Sequence, residues 1–153
     1  MSSEQCSQLD SALPSSFSTW SQTPTGIAAA RSSGKVPSTV IAVEKKYAVG
    51  LAPSALVHLV MPPERTMKSD APHAGMLSLH IPSDGRYKVI VGKRARIDVV
   101  AGGKIMTSTA FGENFPCLSL RKFVEFSLEA GDATLELSSV SGRFIDVMVV
   151  REP

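Results

Sequence analysis

From residue 39 onward, short runs of continuous or alternating apolar residues recur at regular spacing. Gly, Pro, Asp and Ser lie between these runs, as expected for turns that separate strands. No window between residues 39 and 150 keeps the 3.6-residue period of a stable helix. The pattern predicts an all-β fold, an antiparallel β-sandwich of jelly-roll type. The nine predicted strands are 40–43, 55–60, 76–81, 86–91, 96–100, 104–108, 122–128, 134–138 and 144–150.

Alternation within the strands predicts which side chains face the core, because successive residues of a strand point to opposite faces. In strand 134–138 the polar Thr134, Glu136 and Ser138 alternate with leucines, so we expect only one face of this strand to be buried. Gly102 and Gly103 predict a tight hairpin turn, since glycine readily adopts positive φ. The expected core residues of the last three strands are Val124, Phe126, Leu128, Leu135, Leu137, Ile145, Val147 and Val149.

Residues 1–38 differ in composition from the rest of the chain. They contain eleven serines and three prolines, which favour turns and extended chain over a packed core. We therefore divide the chain into an extended N-terminal arm, 1–38, and a sandwich domain, 39–153. Trp20 either anchors this arm on the domain or stacks on a ligand, and anchoring is the interpretation we favour because an indole buries a large apolar area.

Composition and charge exclude several classes of protein. The chain has 153 residues, of which 43% are apolar and 20% charged, as in an ordinary globular domain. Its 16 basic and 14 acidic residues give a net charge of +2, too even for a nucleic-acid-binding surface. No apolar stretch approaches the roughly 18–20 residues of a membrane span. We expect neither nucleic acid as a partner nor a transmembrane segment.

The two cysteines bear on the compartment. Cys6 and Cys117 are too far apart for a CxxC motif, and they either form a disulfide that ties the arm to the domain or are two unrelated thiols. We expect the disulfide, because small stapled domains are typical of exported proteins. No signal peptide opens the sequence, so a periplasmic or secreted location requires that the signal has been removed.

The stretch from Leu77 to Val150 has an order of strands and turns that is found in a known class of β-sandwich. Its parts are a strand ending at Ile81, Asp84-Gly85-Arg86-Tyr87-Lys88-Val89, Ile97-Asp98-Val99, Lys104, Phe123-Val124-Glu125-Phe126, Leu128-Glu129-Ala130-Gly131 and Phe144-Ile145-Asp146-Val147-Met148-Val149. This stretch resembles the bacterial pre-peptidase C-terminal domains, which are related in shape to jelly-roll carbohydrate-binding modules. The resemblance implies an exported, non-catalytic accessory or binding module. Some such domains bind calcium or sugars, but Asp-rich calcium loops and exposed aromatic strips are not evident here.

The histidines are the main candidates for metal chemistry. His58, His73 and His80 show no HxH or HExxH spacing. A site of two histidines and one carboxylate, as in non-haem iron oxygenases, could be assembled from His58 and His80. The carboxylate would then come from Asp84, Asp98 or Glu113. The alternative is that all three histidines are surface or core residues without a ligand. No cofactor is predicted, and no G-x-S-x-G motif indicates a serine nucleophile.

Cationic residues near Asp98 are candidates for an anion site. Lys93, Arg94 and Arg96 precede or begin one strand, and Arg121 and Lys122 lead into another. If both strand starts lie at one end of a sheet, guanidinium groups surround Asp98 and can bind a small anion or carboxylate. The alternative is an Arg–Asp ion pair beside solvated cations that discourage edge pairing.

The segment 109–117 is predicted to be the longest loop of the domain. Phe111 and Phe115 can stack on a sugar or apolar ligand while Glu113 and Asn114 supply hydrogen bonds. Alternatively, both rings plug one end of the sandwich, and we favour this interpretation because phenylalanine is usually buried. Together with the arginines, this segment is the predicted binding surface.

These observations favour a non-enzymatic, exported binding or accessory protein with a small-molecule, carbohydrate or protein ligand. Two alternatives remain open at this point. One is a metal-dependent enzyme of cupin-like or non-haem iron type. The other is a structural protein that pairs with a partner through its strand edges.

Overall fold

The protein is described by a computed structural model for residues 20, 22–62, 69–113 and 120–152. Within these residues, no helix is long and apolar enough to cross a bilayer. Two short 3₁₀ helices, Ser33–Ser38 and Ser54–Leu56, accompany the strands. The strands are β1 (Thr25–Ala28), β2 (Val40–Ile41), β3 (Lys46–Gly50), β4 (Ala52–Pro53), β5 (Pro72–Ile81), β6 (Gly85–Val91), β7 (Arg96–Ala101), β8 (Lys104–Ile105), β9 (Ser108–Glu113), β10 (Lys122–Leu128), β11 (Gly131–Ser141) and β12 (Phe144–Arg151).

The strands form two stacked sheets, which confirms the predicted all-β sandwich. The first sheet has the order β1-β3-β12-β6-β10-β9, and the second has the order β2-β5-β11-β7-β8, with β4 also paired to β5. Most pairs are antiparallel, but β1 pairs with β3 and β2 pairs with β5 in parallel, so both sheets are mixed. The chain alternates between the sheets from β1 to β4. Consecutive strands are therefore not hairpin partners, and nothing forces them to be antiparallel.

The core lies between the sheets and contains the residues that alternation predicts. All eight expected core residues of β10, β11 and β12 belong to one buried cluster together with side chains of β5, β6 and β7. The hairpin between β7 and β8 also matches the prediction. Gly102 and Gly103 form its two-residue turn, with φ of +57° and +75°. Positive φ at both positions is the geometry of the hairpin turns that match strand twist.

Two predictions about secondary structure are wrong. The predicted strand 55–60 is the end of a 3₁₀ helix followed by irregular chain. Its alternating pattern arises because Val57 and Leu59 pack onto the outer face of the second sheet, against a buried cluster that includes Met76. The predicted loop 109–117 begins instead as strand β9, which pairs with β10. Strands β1, β3, β4 and β9 were not predicted as strands.

Trp20 of the predicted arm covers part of the outer face of the first sheet. Trp20 is only 2% exposed and packs with Ile90, Leu120 and Met148 in a cluster of its own. The ammonium group of Lys46 lies 4.1 Å from the centroid of the Trp20 ring and donates a hydrogen bond of 3.0 Å to the Trp20 carbonyl. The indole is therefore buried against the sheet, as the anchoring interpretation expects. Farther along the predicted arm, residues 25–28 form strand β1 of this sheet.

The outer face of the second sheet is covered as well, which overturns the expectation that β11 is buried on one face only. Glu136 points away from the core, yet it is only 1% exposed. The chain from residue 57 to residue 61 lies over it, and the backbone N–H of Met61 donates a 3.1 Å hydrogen bond to Glu136 Oε2. A polar residue in alternation with leucines need not be solvated when another segment crosses the sheet.

Candidate functional site

Among the described residues, an open groove runs between the outermost strands of the two sheets. Strands β9 and β8 are the edge strands on this side of the sandwich. Among the described strands, β8 pairs with β7 only at Val100 and Ala101, and the part of β7 before Val100 lines the opening. The groove has a volume of about 390 Å³. We call it the lateral groove; its lining residues are Arg96, Ile97, Asp98, Ile105, Met106, Ser108, Phe111, Lys122, Val124 and Phe126.

The lateral groove has an apolar floor and an aromatic rim. The floor is continuous with the core, to which Val124 and Phe126 belong. Phe111 pairs in register with Val124, so its side chain points to the same face of the sheet but lies at the edge. Its ring is 68% exposed. The favoured prediction that Phe111 plugs the sandwich is therefore wrong, and the ring is accessible to a ligand.

Two cationic side chains and one carboxylate give the lateral groove its polarity. Arg96 donates hydrogen bonds from Nε and Nη2 to the carboxylate of Asp98, at 3.2 and 3.4 Å. Asp98 itself is buried, so this ion pair fixes the direction of the guanidinium group. On the opposite sheet, Lys122 Nζ donates a 2.9 Å hydrogen bond to the Ala95 carbonyl. The ammonium group is thus held between the sheets at one end of the groove.

The structure separates the predicted arginine cluster into two places. Arg96 and Asp98 line the lateral groove together. Arg94 and Arg121 line a different pocket, which has no residue in common with the groove. Arg94 lies in the loop between β6 and β7, and Arg121 immediately precedes β10. Of the three arginines, only Arg96 lines the groove together with Asp98. The structure does not gather several guanidinium groups around this carboxylate.

The remaining predicted site residues lie near the end of β9 or beyond it. Glu113 is the last residue of β9 and pairs in register with Lys122. Asn114 and Phe115 lie outside the described residues, and so do both cysteines of the predicted disulfide, Cys6 and Cys117. Their roles stay predictions.

The histidines do not converge on one site. The backbone N–H of His58 donates to the Arg31 carbonyl, and the ring of His73 contacts the Ala71 carbonyl at 2.7 Å. His80 lies seven residues farther along β5, where Nδ1 is 3.1 Å from Asp132 Oδ1. Along an extended strand that separation amounts to about 23 Å. Within the described parts of the chain, no three side chains of His, Cys, Asp or Glu are placed to hold a metal ion.

Sequence reasoning counted Lys122 among the cations at the two strand starts but did not place it on the core side of its strand. A signal for it was present, because Lys122 alternates in phase with Val124 and Phe126 and therefore faces the core side of β10. When the first core-facing residue of a strand is a cation, its side chain lies at the margin of the core. Its apolar stem can pack there while its ammonium group reaches polar partners.

Glu136 is a second residue of unusual environment that was not predicted. Burial raises the pKa of its carboxyl group, and the negative charge of Asp98 raises it further, while the nearby backbone of Met61 and Val60 opposes the shift. Oε1 has no hydrogen-bond partner among the described residues. Because Glu136 does not line the lateral groove, we assign its effect to stability and return to it below.

Comparisons of the chain with known protein families, with curated proteins and with solved structures find no match. The resemblance to pre-peptidase C-terminal and carbohydrate-binding domains thus stays an expectation from the sequence pattern. The case for a function depends on the geometry of the site.

Proposed function

We propose that this protein is a non-enzymatic binding protein whose ligand occupies the lateral groove. The observation that carries the proposal is the exposed ring of Phe111 at the rim of a groove with an apolar floor. Binding pockets typically combine apolar and aromatic walls with a few placed polar groups. The groove has this composition, with Arg96 and Lys122 as its cationic groups.

The lining indicates the chemical class of the ligand. An apolar or aromatic body fits between Phe111 and the floor at Val124 and Phe126, where it removes apolar surface from water. One anionic group fits near Lys122 and Arg96, because a carboxylate or sulfonate accepts charge-assisted hydrogen bonds from such donors. A volume of about 390 Å³ suits a small molecule or a single side chain of a larger ligand.

The proposal includes a location outside the cytoplasm, either periplasmic or secreted. Its support is the expected Cys6–Cys117 disulfide, which is stable in an oxidising compartment. Mass measurement after alkylation without reductant tests it. A bridged protein gains no alkyl groups, and two alkylated cysteines would contradict export.

A fluorescence titration with 8-anilinonaphthalene-1-sulfonate tests the binding site, because this probe joins an apolar body to one anionic group. We expect saturable binding to the folded protein. Phe111→Ser should weaken it about tenfold, since most of the aromatic contact area is lost. Lys122→Gln should weaken binding of the sulfonate probe more than it weakens binding of a neutral naphthalene derivative of the same size.

Phe144→Ser is the matched control for this experiment. Phe144 is also strongly exposed, at 60%, but it lies on β12 and does not line the groove. It should leave the affinity within about twofold of the wild-type value, since surface substitutions away from a site have small effects. Equal weakening by Phe111→Ser and Phe144→Ser, or binding that never saturates, would contradict the proposed site.

A second candidate function is supported by the free edge of β9. Within the described residues, β9 pairs only with β10, and its exposed residues Thr109, Ala110 and Phe111 carry no charge. An uncharged strand edge can pair with another chain, and proteins often protect such edges with charge. Sedimentation across a wide range of protein concentrations tests self-pairing through this edge. A persistent monomer would contradict it.

A further inference from the structure

A second pocket, at one end of the sandwich, gathers three cationic side chains and three serine hydroxyl groups. We call it the basic pocket; its volume is about 330 Å³. Its lining residues are Ser69, Gly92, Lys93, Arg94, Arg121, Ser139 and Ser141. No carboxylate is among the described residues that line it. These described lining residues therefore carry three positive charges, in a protein whose overall net charge is only +2.

The main chain that carries the cations is held in place by the sheets. The N–H of Gly92, immediately before Lys93, donates a 3.0 Å hydrogen bond to the Asp146 carbonyl. The N–H of Arg121 donates a 2.8 Å hydrogen bond to the Val91 carbonyl. The loop that carries Lys93 and Arg94 is thus anchored to a neighbouring strand where it begins. A site whose groups are held before the ligand arrives loses less entropy on binding.

Two backbone features shape the basic pocket. Ser139 has a φ of +58°, in the left-handed region that non-glycine residues rarely adopt, and it lies where the β11–β5 register shifts. Bulges of this kind re-aim a side chain, and strained residues cluster at binding sites. On the other side, Lys93 Nζ lies only 3.3 Å from the position that a Cβ on Gly142 would occupy. The ammonium group therefore packs against bare backbone that only glycine provides.

The serine hydroxyl groups add donors that point to an oxygen-rich ligand. Ser69 Oγ and Ser141 Oγ are 2.9 Å apart and share a hydrogen bond. One of the two hydroxyl groups donates its proton in this bond, and the other can rotate its proton towards an acceptor. Guanidinium groups bind two oxygens of one oxyanion at once, and an ammonium group adds a point charge. Cations and hydroxyl groups in this combination match an anion with three or four acceptor oxygens better than they match a planar carboxylate.

We propose that the basic pocket binds a phosphate group, either as inorganic phosphate or as the monoester of a small molecule. Arg94, Arg121 and Lys93 neutralise the charge, and the serines donate to the oxygens. The site is independent of the ligand in the lateral groove, because the two share no lining residue. A single compact pocket accommodates one phosphate group rather than the phosphate track of a nucleic acid.

Isothermal titration calorimetry at low ionic strength tests this proposal with three probes: inorganic phosphate, glucose 6-phosphate and acetate. We expect saturable binding of at least one phosphate probe and much weaker binding of acetate. Arg121→Gln and Arg94→Gln should each weaken phosphate binding about tenfold, as expected for the loss of a charge-assisted hydrogen bond. Both residues are exposed, so neither substitution removes a core contact.

Lys104→Gln is the control, because it removes the same charge from an exposed residue of β8 that does not line the basic pocket. Binding of both phosphate probes identifies the phosphate group itself as the ligand, and binding of the ester alone identifies a phosphorylated small molecule. Either result supports the proposal. Absence of saturable binding by both phosphate probes, equal affinity for acetate, or equal weakening by Lys104→Gln would overturn it. Titration of the Phe111→Ser variant should give unchanged phosphate affinity, which separates this site from the lateral groove.

Discussion

Replacing Glu136 with glutamine should stabilise the protein at neutral and basic pH. The carboxyl group is 1% exposed, and it lies in register between Met76 of β5 and Asp98 of β7. One oxygen accepts the hydrogen bond from Met61, while the other has no partner among the described residues. Burial raises the pKa of Glu136 above its ordinary value near 4.5, and the charge of Asp98 adds a smaller effect in the same direction. The charged form is therefore disfavoured in the folded protein.

The sign of the pH dependence follows from this shift. Between the unfolded pKa of Glu136 and its higher folded pKa, the folded protein binds more protons than the unfolded chain. The free energy of unfolding therefore falls as pH rises through that window. Glutamine carries no charge and removes this contribution. Burial penalises the charged carboxylate more than a neutral amide at the same place, so we expect a gain of about 1 kcal/mol above the window and little difference below it.

Urea denaturation followed by circular dichroism, at several values from about pH 4 to pH 8, measures the effect. Glu125→Gln is a matched control, because Glu125 is also buried but accepts a 2.9 Å hydrogen bond from Thr109 and lies 3.8 Å from Arg86. The control should show no stabilisation. The reasoning is refuted if Glu136→Gln is less stable than the wild type at pH 8, or if the two stability curves run parallel.

Three further substitutions test the packing described above. Trp20→Ala should lower the free energy of unfolding by about 3–5 kcal/mol in urea denaturation, as for other buried aromatic residues. A loss under about 1 kcal/mol would mean that the arm is not anchored at Trp20. Gly75→Ala should cost about 1–3 kcal/mol because its Cβ would collide with the Cβ of Ala29, whereas Gly26→Ala, with open space around it, should show no such loss. Phe111→Ser should change thermal stability by less than about 0.5 kcal/mol, since its ring is largely exposed. A larger change would mean that its effect on ligand binding reflects unfolding.

The sandwich core was predictable because alternation is a local property of a strand. Val124, Phe126 and their counterparts on β11 and β12 face the core wherever their strands pair. The segment 55–60 shows where this reasoning fails. Val57 and Leu59 alternate because they cover the outer face of a sheet, and a period of two does not distinguish such a covering segment from a paired strand.

The candidate site was predictable only in part, because proximity in sequence does not give direction in space. Arg94 and Arg96 are two residues apart, yet they line different pockets, since one belongs to a loop and the other to β7. Phe111 was identified from its chemistry, but its exposure depends on the pairing of β9 with β10 at the edge of the sheet. That pairing is a tertiary contact, and the sequence of the segment alone does not encode its position.

The coverage of both sheet faces by early parts of the chain limits how the protein can be shortened. A chain that started at residue 39 would lack Trp20, Ala30 and Val36, which cover the outsides of the two sheets. Apolar side chains such as Ile90 and Met148 would then be exposed to solvent. The resulting apolar surface patches would favour aggregation of the truncated protein. Engineering that trims this protein to its apparent sandwich should therefore retain the residues from Trp20 onward.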